Sequence, residues 1–188
     1  MCIKPICRKI FVSFLMIFTC LIAQVAFAVT LNFSANLVDA TCTIGLDNTV
    51  LPLGNVSNAS LKANQLVAIQ PFSLNITNCS ASGNTTTSSL LVQITGAGAM
   101  QDGKWLFRNG EAASQGAGIM LFRSDDMPVY SQTEIKNGDT IPLDGVGVMP
   151  SDQTMNFYAG VSCGGSSGCA EINPVALSAT ILFDFIYR

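Results

Sequence analysis

The strictest pattern in the sequence is the alternation of apolar and polar residues between residues 29 and 37. Four polar residues separate five apolar ones, which are Val29, Leu31, Phe33, Ala35 and Leu37. Successive side chains of a β-strand point to opposite faces, so such a strand presents one wholly apolar face. No window of the chain shows a sustained 3.6-residue apolar period. The sequence therefore predicts an all-β protein.

Short alternating or apolar runs recur along the chain, separated by stretches rich in Asn, Ser, Thr and Gly. This spacing predicts an immunoglobulin-like β-sandwich. The single tryptophan, Trp105, is expected to be a packing anchor at a sheet edge. Strands are expected at residues 29–37, 40–45, 49–53, 65–77, 89–95, 117–123, 127–131, 153–162 and 175–187.

The last residues form a second alternating run, which ends directly before Arg188. One face of this run carries large apolar side chains, those of Ile181, Phe183, Phe185 and Tyr187. No strand follows to cover its free edge, so its side chains need a groove that another element closes. We expect that element to be either residues 29–37 of this chain or a strand from a partner.

The first 28 residues have the composition of a secretory signal peptide. Residues 4–9 carry three basic side chains, residues 10–23 are apolar, and Ala26–Phe27–Ala28 fits a cleavage site. A retained membrane anchor is the alternative, but Gln24 interrupts the apolar stretch. We expect an exported chain that starts at Val29.

Four of the seven cysteines lie beyond this segment, namely Cys42, Cys79, Cys163 and Cys169. An even number in an exported chain predicts two disulfides, for which three pairings are possible. The simplest pairing joins neighbours along the chain, Cys42 with Cys79 and Cys163 with Cys169. A zinc site of four thiolates is the alternative, but neither pair has the short spacing of zinc-binding motifs.

Composition argues against several classes of function. Charged residues make up 11 % of the chain, less than half of the roughly 25 % in ordinary soluble domains. Beyond the signal peptide, acidic residues outnumber basic ones two to one, a balance that repels nucleic-acid phosphates. Histidine is absent, which removes Ser-His and Cys-His pairs and His metal sites. We expect no nucleic-acid partner, small-molecule substrate, cofactor, metal site or catalytic residue.

Several features together resemble the subunits of type 1-like fimbriae that are assembled by the chaperone–usher pathway. They are the signal peptide, the alternating N-terminal extension, Cys42 and Cys79, the runs Gly116–Leu121 and Asn156–Ala159, and the penultimate Tyr187. The resemblance implies an incomplete immunoglobulin-like β-sandwich that lacks its last strand and is completed by a donor strand from a partner. It also implies Cys42–Cys79 as the disulfide of the family. Residues 1–28 would be the signal peptide, 29–41 the donor-strand extension and 42–188 the pilin domain.

The resemblance also implies partners and residue roles. A periplasmic chaperone fills the open groove with its own strand, an outer-membrane usher assembles the subunits, and the extension of the next subunit replaces the chaperone strand. Val29, Leu31, Phe33, Ala35 and Leu37 would be donated into a neighbouring pilin subunit. Ile181, Phe183, Phe185 and Tyr187 would line this protein's own groove, and basic residues of the chaperone would hold the carboxylate of Arg188. The expected function is that of a non-enzymatic structural subunit, exported through the periplasm to a cell-surface fimbrium that contributes to adhesion.

Three departures from the family pattern are visible. Ala35 and Val175 stand where the family usually has glycine, and the Cys163–Cys169 pair is additional. The main alternative is a self-contained secreted β-sandwich that binds carbohydrate or protein. A secreted hydrolase is a weaker alternative, because Asp125–Asp126 fit a turn and Ser166–Ser167 fit a flexible linker.

Overall fold

The computed structural model describes residues 40–81, 89–110, 116–170, 172 and 176–188. The predicted signal peptide and the predicted strand at residues 29–37, with all five predicted donor residues, lie outside the described residues. The strands are β1 (Ala40–Leu46), β2 (Val67–Ala81), β3 (Leu90–Gly96), β4 (Gly98–Gln101), β5 (Lys104–Phe107), β6 (Gly118–Arg123), β7 (Thr140–Pro142), β8 (Gln153–Ser162) and β9 (Ile181–Tyr187). A 3-10 turn covers Asn58–Ser60, and a short helix, α1, covers Ser166–Ala170.

The described strands form two antiparallel sheets. The larger sheet has the strand order β1-β2-β8-β6-β5-β4, and the smaller sheet has the order β7-β3-β9. In the larger sheet β2 pairs with β8 from Val67↔Val161 to Ile76↔Gln153. The prediction of an all-β sandwich is confirmed.

The hydrophobic core lies between the two sheets. Leu74 and Ile76 of β2 and Val92 and Ile94 of β3 are all 0 % exposed. They occupy alternate positions, as expected where one face of a strand packs on the opposite sheet and the other faces outward. The burial of these strands therefore alternates as expected for strands that have one face in the core.

Both disulfides have the simplest pairing, and that prediction is confirmed. Cys42–Cys79 joins β1 to β2, while Cys163–Cys169 closes a short loop after β8. The cysteine sulfur atoms are thus bonded to each other, so the alternative of a zinc tetrathiolate site is wrong. Among the residues described, none of the helices has the length and hydropathy that a membrane span requires.

Several strand predictions are wrong in detail. Residues 49–53 and 127–131 form no strand, and Gln132 instead closes a turn by donating its N–H to the carbonyl of Val129, at 3.0 Å. The final strand begins at Ile181 rather than at residue 175. In each case apolar residues are present, but a strand also requires a neighbour that satisfies its backbone groups.

The hairpin of β4 and β5 and the short strand β7 were missing from the predicted strands. The hairpin turns at Asp102–Gly103, where both residues have positive φ, 49° and 81°. Asp-Gly is a preferred pair for such a tight turn, so this signal was present in the sequence. Trp105 lies in β5, beside the edge strand β4, and packs edge-on against Phe107 at 5.9 Å between ring centroids.

Candidate functional site

Among the described strands, the last one, β9, has a neighbour on one side only. It pairs with β3 from Leu90↔Tyr187 to Gly96↔Ile181. Within the described part of the chain no strand pairs with its other edge, since β9 ends the order of the smaller sheet. A sheet edge of this kind can accept an additional strand.

The hydrogen bonds of β3 show which backbone groups of β9 face the open edge. Ile94 donates its N–H to Asp139 O at 2.9 Å, and its carbonyl accepts from Gly138 N at 2.8 Å, so both groups point away from β9. Ile94 lies opposite Phe183, and hydrogen-bonded and non-hydrogen-bonded pairs alternate in an antiparallel ladder. The N–H and C=O of Phe183 therefore point to the open edge, and the same alternation applies to Ile181 and Phe185.

The side chains of these residues point into the sandwich. Phe183 packs edge-on against Phe157 of β8 and Phe72 of β2, at 5.5 and 6.1 Å between ring centroids. Phe72 and Phe157 are themselves stacked at 5.4 Å. The predicted groove residues Ile181, Phe183, Phe185 and Tyr187 are all half-buried and pack against the main core. Burial raises the pKa of the Tyr187 phenol.

A cavity of about 1090 Å³ opens beside β9. Its floor includes Phe72, Leu121 and Val161 of the larger sheet, and one wall is formed by Ile181 and Phe183. The surfaces that meet there are mainly aliphatic and aromatic. The open edge of β9 and this cavity together form one feature, which we call the β9 groove.

Leu46 and residues 48–56 also line the β9 groove. Leu51 and Leu53 are half-buried, whereas Val50, Pro52 and Gly54 are exposed. The segment thus has the side-chain alternation of a strand without being one. Its predicted strand, residues 49–53, fails because no described strand lies beside it to complete a ladder.

The rim of the groove before β9 is held by Asn109. Asn109 N donates to Ser178 O at 2.8 Å, its Nδ2 donates to Thr180 Oγ1 at 2.9 Å, and its Oδ1 accepts from Thr180 N at 3.2 Å. On the inner side, a Cβ added to Gly96 would stand 2.7 Å from the Thr180 carbonyl oxygen. Asn109 was not singled out from the sequence, although the pair Asn109–Gly110 is a common turn signal.

The additional disulfide loop is attached to the β4–β5 turn. Oδ2 of Asp102 accepts from Gly165 N at 2.7 Å and from Gly168 N at 3.2 Å. The hydrogen bond from Gly168 is the main reason why the pKa of Asp102 is lowered, followed by one from Ser167. The predicted flexible linker at Ser166–Ser167 is wrong, since these residues begin helix α1.

Gln101 supports the same loop from the side. Its Nε2 donates to Cys163 O at 2.7 Å and to Gly116 O at 2.6 Å, while its Oε1 accepts from Arg108 Nη1 at 3.1 Å. Arg108 is buried, and that burial lowers its pKa. The loop after β8 is therefore closed by its own disulfide and is held against the β4–β5 hairpin by the side chains of Gln101 and Asp102.

Arg188 lies just beyond β9. Its main chain pairs with Ser89, with Ser89 N donating to Arg188 O at 2.6 Å and Arg188 N donating to Ser89 O at 3.1 Å. The side chain is exposed. All four predicted groove residues thus lie on β9, but only Ile181 and Phe183 line the cavity, and Arg188 follows the strand.

Comparisons with known proteins agree with this architecture. No curated protein matches the chain. The crystal structure of the P pilus rod subunit PapA is similar, with a TM-score of 0.52 and 16 % identity over 85 % of this chain and 99 % of that one. A chaperone–usher pilus structure has the same TM-score and identity over 87 % of this chain and 97 % of that one. A sequence model of the family described as fimbrial protein matches residues 31–181, and the chain therefore belongs to the fimbrial protein family.

Proposed function

We propose that this protein is a structural subunit of a chaperone–usher fimbrium and that it polymerises head-to-tail by donor-strand exchange. The observation that carries the proposal is the open edge of β9 beside an apolar cavity of about 1090 Å³. Addition of a strand to such an edge supplies main-chain hydrogen bonds, and pockets below it select the side chains. The fibre so formed is proposed to contribute to cell adhesion.

The accepted strand would lie between β9 and residues 49–53. Its backbone would bond to the outward groups of Ile181, Phe183 and Phe185 on one side. On the other side it would supply the neighbour that residues 49–53 lack within the described chain. Its apolar side chains would fill the cavity above Phe72 and Leu121.

Residues 29–37 have the length and pattern of the donated strand. Nine extended residues span about 30 Å, against about 24 Å for the seven residues of β9. Val29, Leu31, Phe33, Ala35 and Leu37 would enter the groove of a neighbouring subunit. We propose residues 29–41 as this extension, residues 42–188 as the pilin domain, and residues 1–28 as the signal peptide that directs export through the periplasm.

A periplasmic chaperone and an outer-membrane usher are the further proposed partners. Before polymerisation, an unfilled groove and a free strand edge favour aggregation, and a chaperone strand would cover both. The carboxylate of Arg188 stands at the end of β9, where basic residues of the chaperone could hold it. With these partners, the proposed route of the mature subunit leads through the periplasm to the cell surface.

We assign no catalytic role to the protein. The buried carboxylate of Glu134 has a structural environment, with Lys104 Nζ at 2.9 Å, Lys136 Nζ at 3.7 Å and Trp105 N at 3.1 Å. Burial opposes ionisation of Glu134, but the hydrogen bond from Lys104 and the others outweigh it and lower its pKa. These contacts anchor the loop after β6 to the β4–β5 hairpin.

The donor role is tested by Phe33→Asp, with Asn32→Asp as the matched control. Both substitutions add one carboxylate, but only that of residue 33 would enter the neighbour's apolar groove. An unpaired buried carboxylate costs on the order of several kcal/mol. We therefore expect Phe33→Asp to be recovered with chaperone at normal yield and to be absent from fimbriae, while Asn32→Asp is incorporated.

The same pair of variants distinguishes a fimbrial subunit that donates residues 29–37 from a self-contained binding module. In that case Phe33 would belong to the protein's own core, and its replacement would cost roughly 3–5 kcal/mol even as alanine. If Phe33→Asp abolished both the yield of folded subunit and its incorporation into fimbriae, the result would contradict the donor role. Normal incorporation of Phe33→Asp would contradict it as well.

A further inference from the structure

The loop between β7 and β8 exposes an unusual concentration of apolar side chains. Val146 is 71 % exposed, and Val148 and Met149 are each 50 % exposed. Residues 145–149, which we call the apolar loop, contain only these three and two glycines. Contiguous exposed apolar groups of this kind commonly mark a contact with another protein.

The apolar loop is held firmly at both ends. Leu143 is buried and donates its N–H to Leu90 O at 3.1 Å, and Pro150 is buried at the other end. Nε2 of Gln153 donates to Leu143 O at 3.1 Å. Within the loop, Val148 N donates to Gly145 O at 3.1 Å. The valine side chains are thus presented on an ordered turn.

The loop lies at the end of the larger sheet where β1 begins. Asp152, which follows the loop, accepts a hydrogen bond from Cys79 N at 3.1 Å. Cys79 is joined to Cys42 near the start of β1, and Ala40 pairs with Ala81. The apolar loop and the start of β1 therefore belong to the same end of the molecule.

The distance along the chain from the proposed donor strand to this end is very short. Only Val38 and Asp39 separate Leu37 from Ala40, the first residue of β1. Three Cα–Cα steps span at most about 11 Å. A subunit whose groove holds residues 29–37 must consequently lie close to the end that carries the apolar loop.

We infer that the apolar loop forms a second contact with the fimbrial subunit that accepts residues 29–37. This inference rests on the proposed function and adds a surface to it. Val146, Val148 and Met149 pack on the accepting subunit beside the mouth of its groove. The contact orients successive subunits and slows their separation after strand exchange.

The contact is tested first by photo-crosslinking in assembled fimbriae. A photoreactive amino acid replaces Val146 in the full chain, and irradiation of intact fimbriae is followed by peptide mapping. We expect crosslinks to the subunit that holds this chain's residues 29–37, and none between copies in the chaperone-bound form. Crosslinks that reach only other fimbrial subunits, or only another class of protein, and not the subunit that holds residues 29–37, would overturn the inference.

The second test compares two double variants. Val146→Ser with Val148→Ser changes the apolar loop, and Met127→Ser with Val129→Ser changes a loop whose side chains are 67 % and 58 % exposed. Weakening an interface acts mainly on the dissociation rate. We expect normal incorporation of both, with fimbriae of the first variant dissociating in denaturant roughly tenfold faster than those of the second.

The outcomes separate this inference from the proposed function. Equal dissociation rates in otherwise normal fimbriae would overturn the contact while leaving donor-strand exchange intact. Incorporation of Phe33→Asp would overturn donor-strand exchange, and the contact with it. If the double variant folds poorly, the crosslinking experiment still tests the contact, because the photoreactive amino acid replaces only the exposed side chain of Val146.

Discussion

Phe183 links the groove to the core, and its replacement by alanine gives a direct measure of that link. Its ring contacts Phe72 and Phe157, which come from two strands of the opposite sheet. Phe→Ala at a buried site costs roughly 3–5 kcal/mol, including the cavity left behind. Phe183 is half-buried in the isolated subunit, so the low end, about 3 kcal/mol, applies once a donor strand covers it.

The assay uses a fused protein in which a flexible linker and a second copy of residues 29–37 follow Arg188. Urea unfolding of this monomer gives the free energy of unfolding for each variant. A loss of about 3 kcal/mol corresponds to a fall in Tm of roughly 6–12 °C for a domain of this size.

Leu182→Ala is the matched control for Phe183→Ala. Leu182 directly precedes Phe183 in β9, points to the other face and is 55 % exposed. We expect Leu182→Ala to cost less than about 1 kcal/mol, as for most exposed positions. Equal losses for the two variants would contradict the assignment of Phe183 to the groove.

Two further predictions concern the groove and the disulfide loop. The fused donor strand should raise Tm and keep the protein monomeric, because a strand that binds only the native state stabilises it. The control is the same fusion with Phe33→Asp in the added copy of residues 29–37. Equal Tm values for the two fusions would indicate a fold that is already complete. Asp102 has a folded-state pKa below its ordinary value of 3.8, so its stabilising contribution is present above that value and is lost as the pH falls through the lower folded pKa. The Tm of the native chain should therefore fall more steeply than that of Asp102→Asn as the pH decreases below about 4, and parallel curves would show that the carboxylate does not hold the loop.

The sequence alone predicted the fold class and the face of the last strand that carries its large apolar side chains, whereas it allowed three disulfide pairings, of which the simplest is the observed one. Leu74, Ile76, Val92 and Ile94 alternate with polar or less buried neighbours, and each is fully buried. Alternation is a reliable guide here because side-chain direction follows from strand geometry without reference to other strands. The same reasoning placed Ile181, Phe183 and Phe185 on one face of the last strand.

Only the tertiary structure decided which apolar runs become strands and which edge stays open. Within residues 49–53 half-buried side chains alternate with exposed ones, yet the segment pairs with no described strand. By contrast, Gly98–Gln101 and Lys104–Phe107 form a hairpin around the Asp102–Gly103 turn. The contacts of Asp102 with Gly165 and Gly168 join segments more than 60 residues apart. The alternation of apolar and polar residues shows which side chains face the core and which face solvent. A strand, however, exists only where the fold supplies hydrogen-bonding neighbours. The β9 groove arises where the described fold supplies none, so it could be located only once the strands had been placed in their sheets.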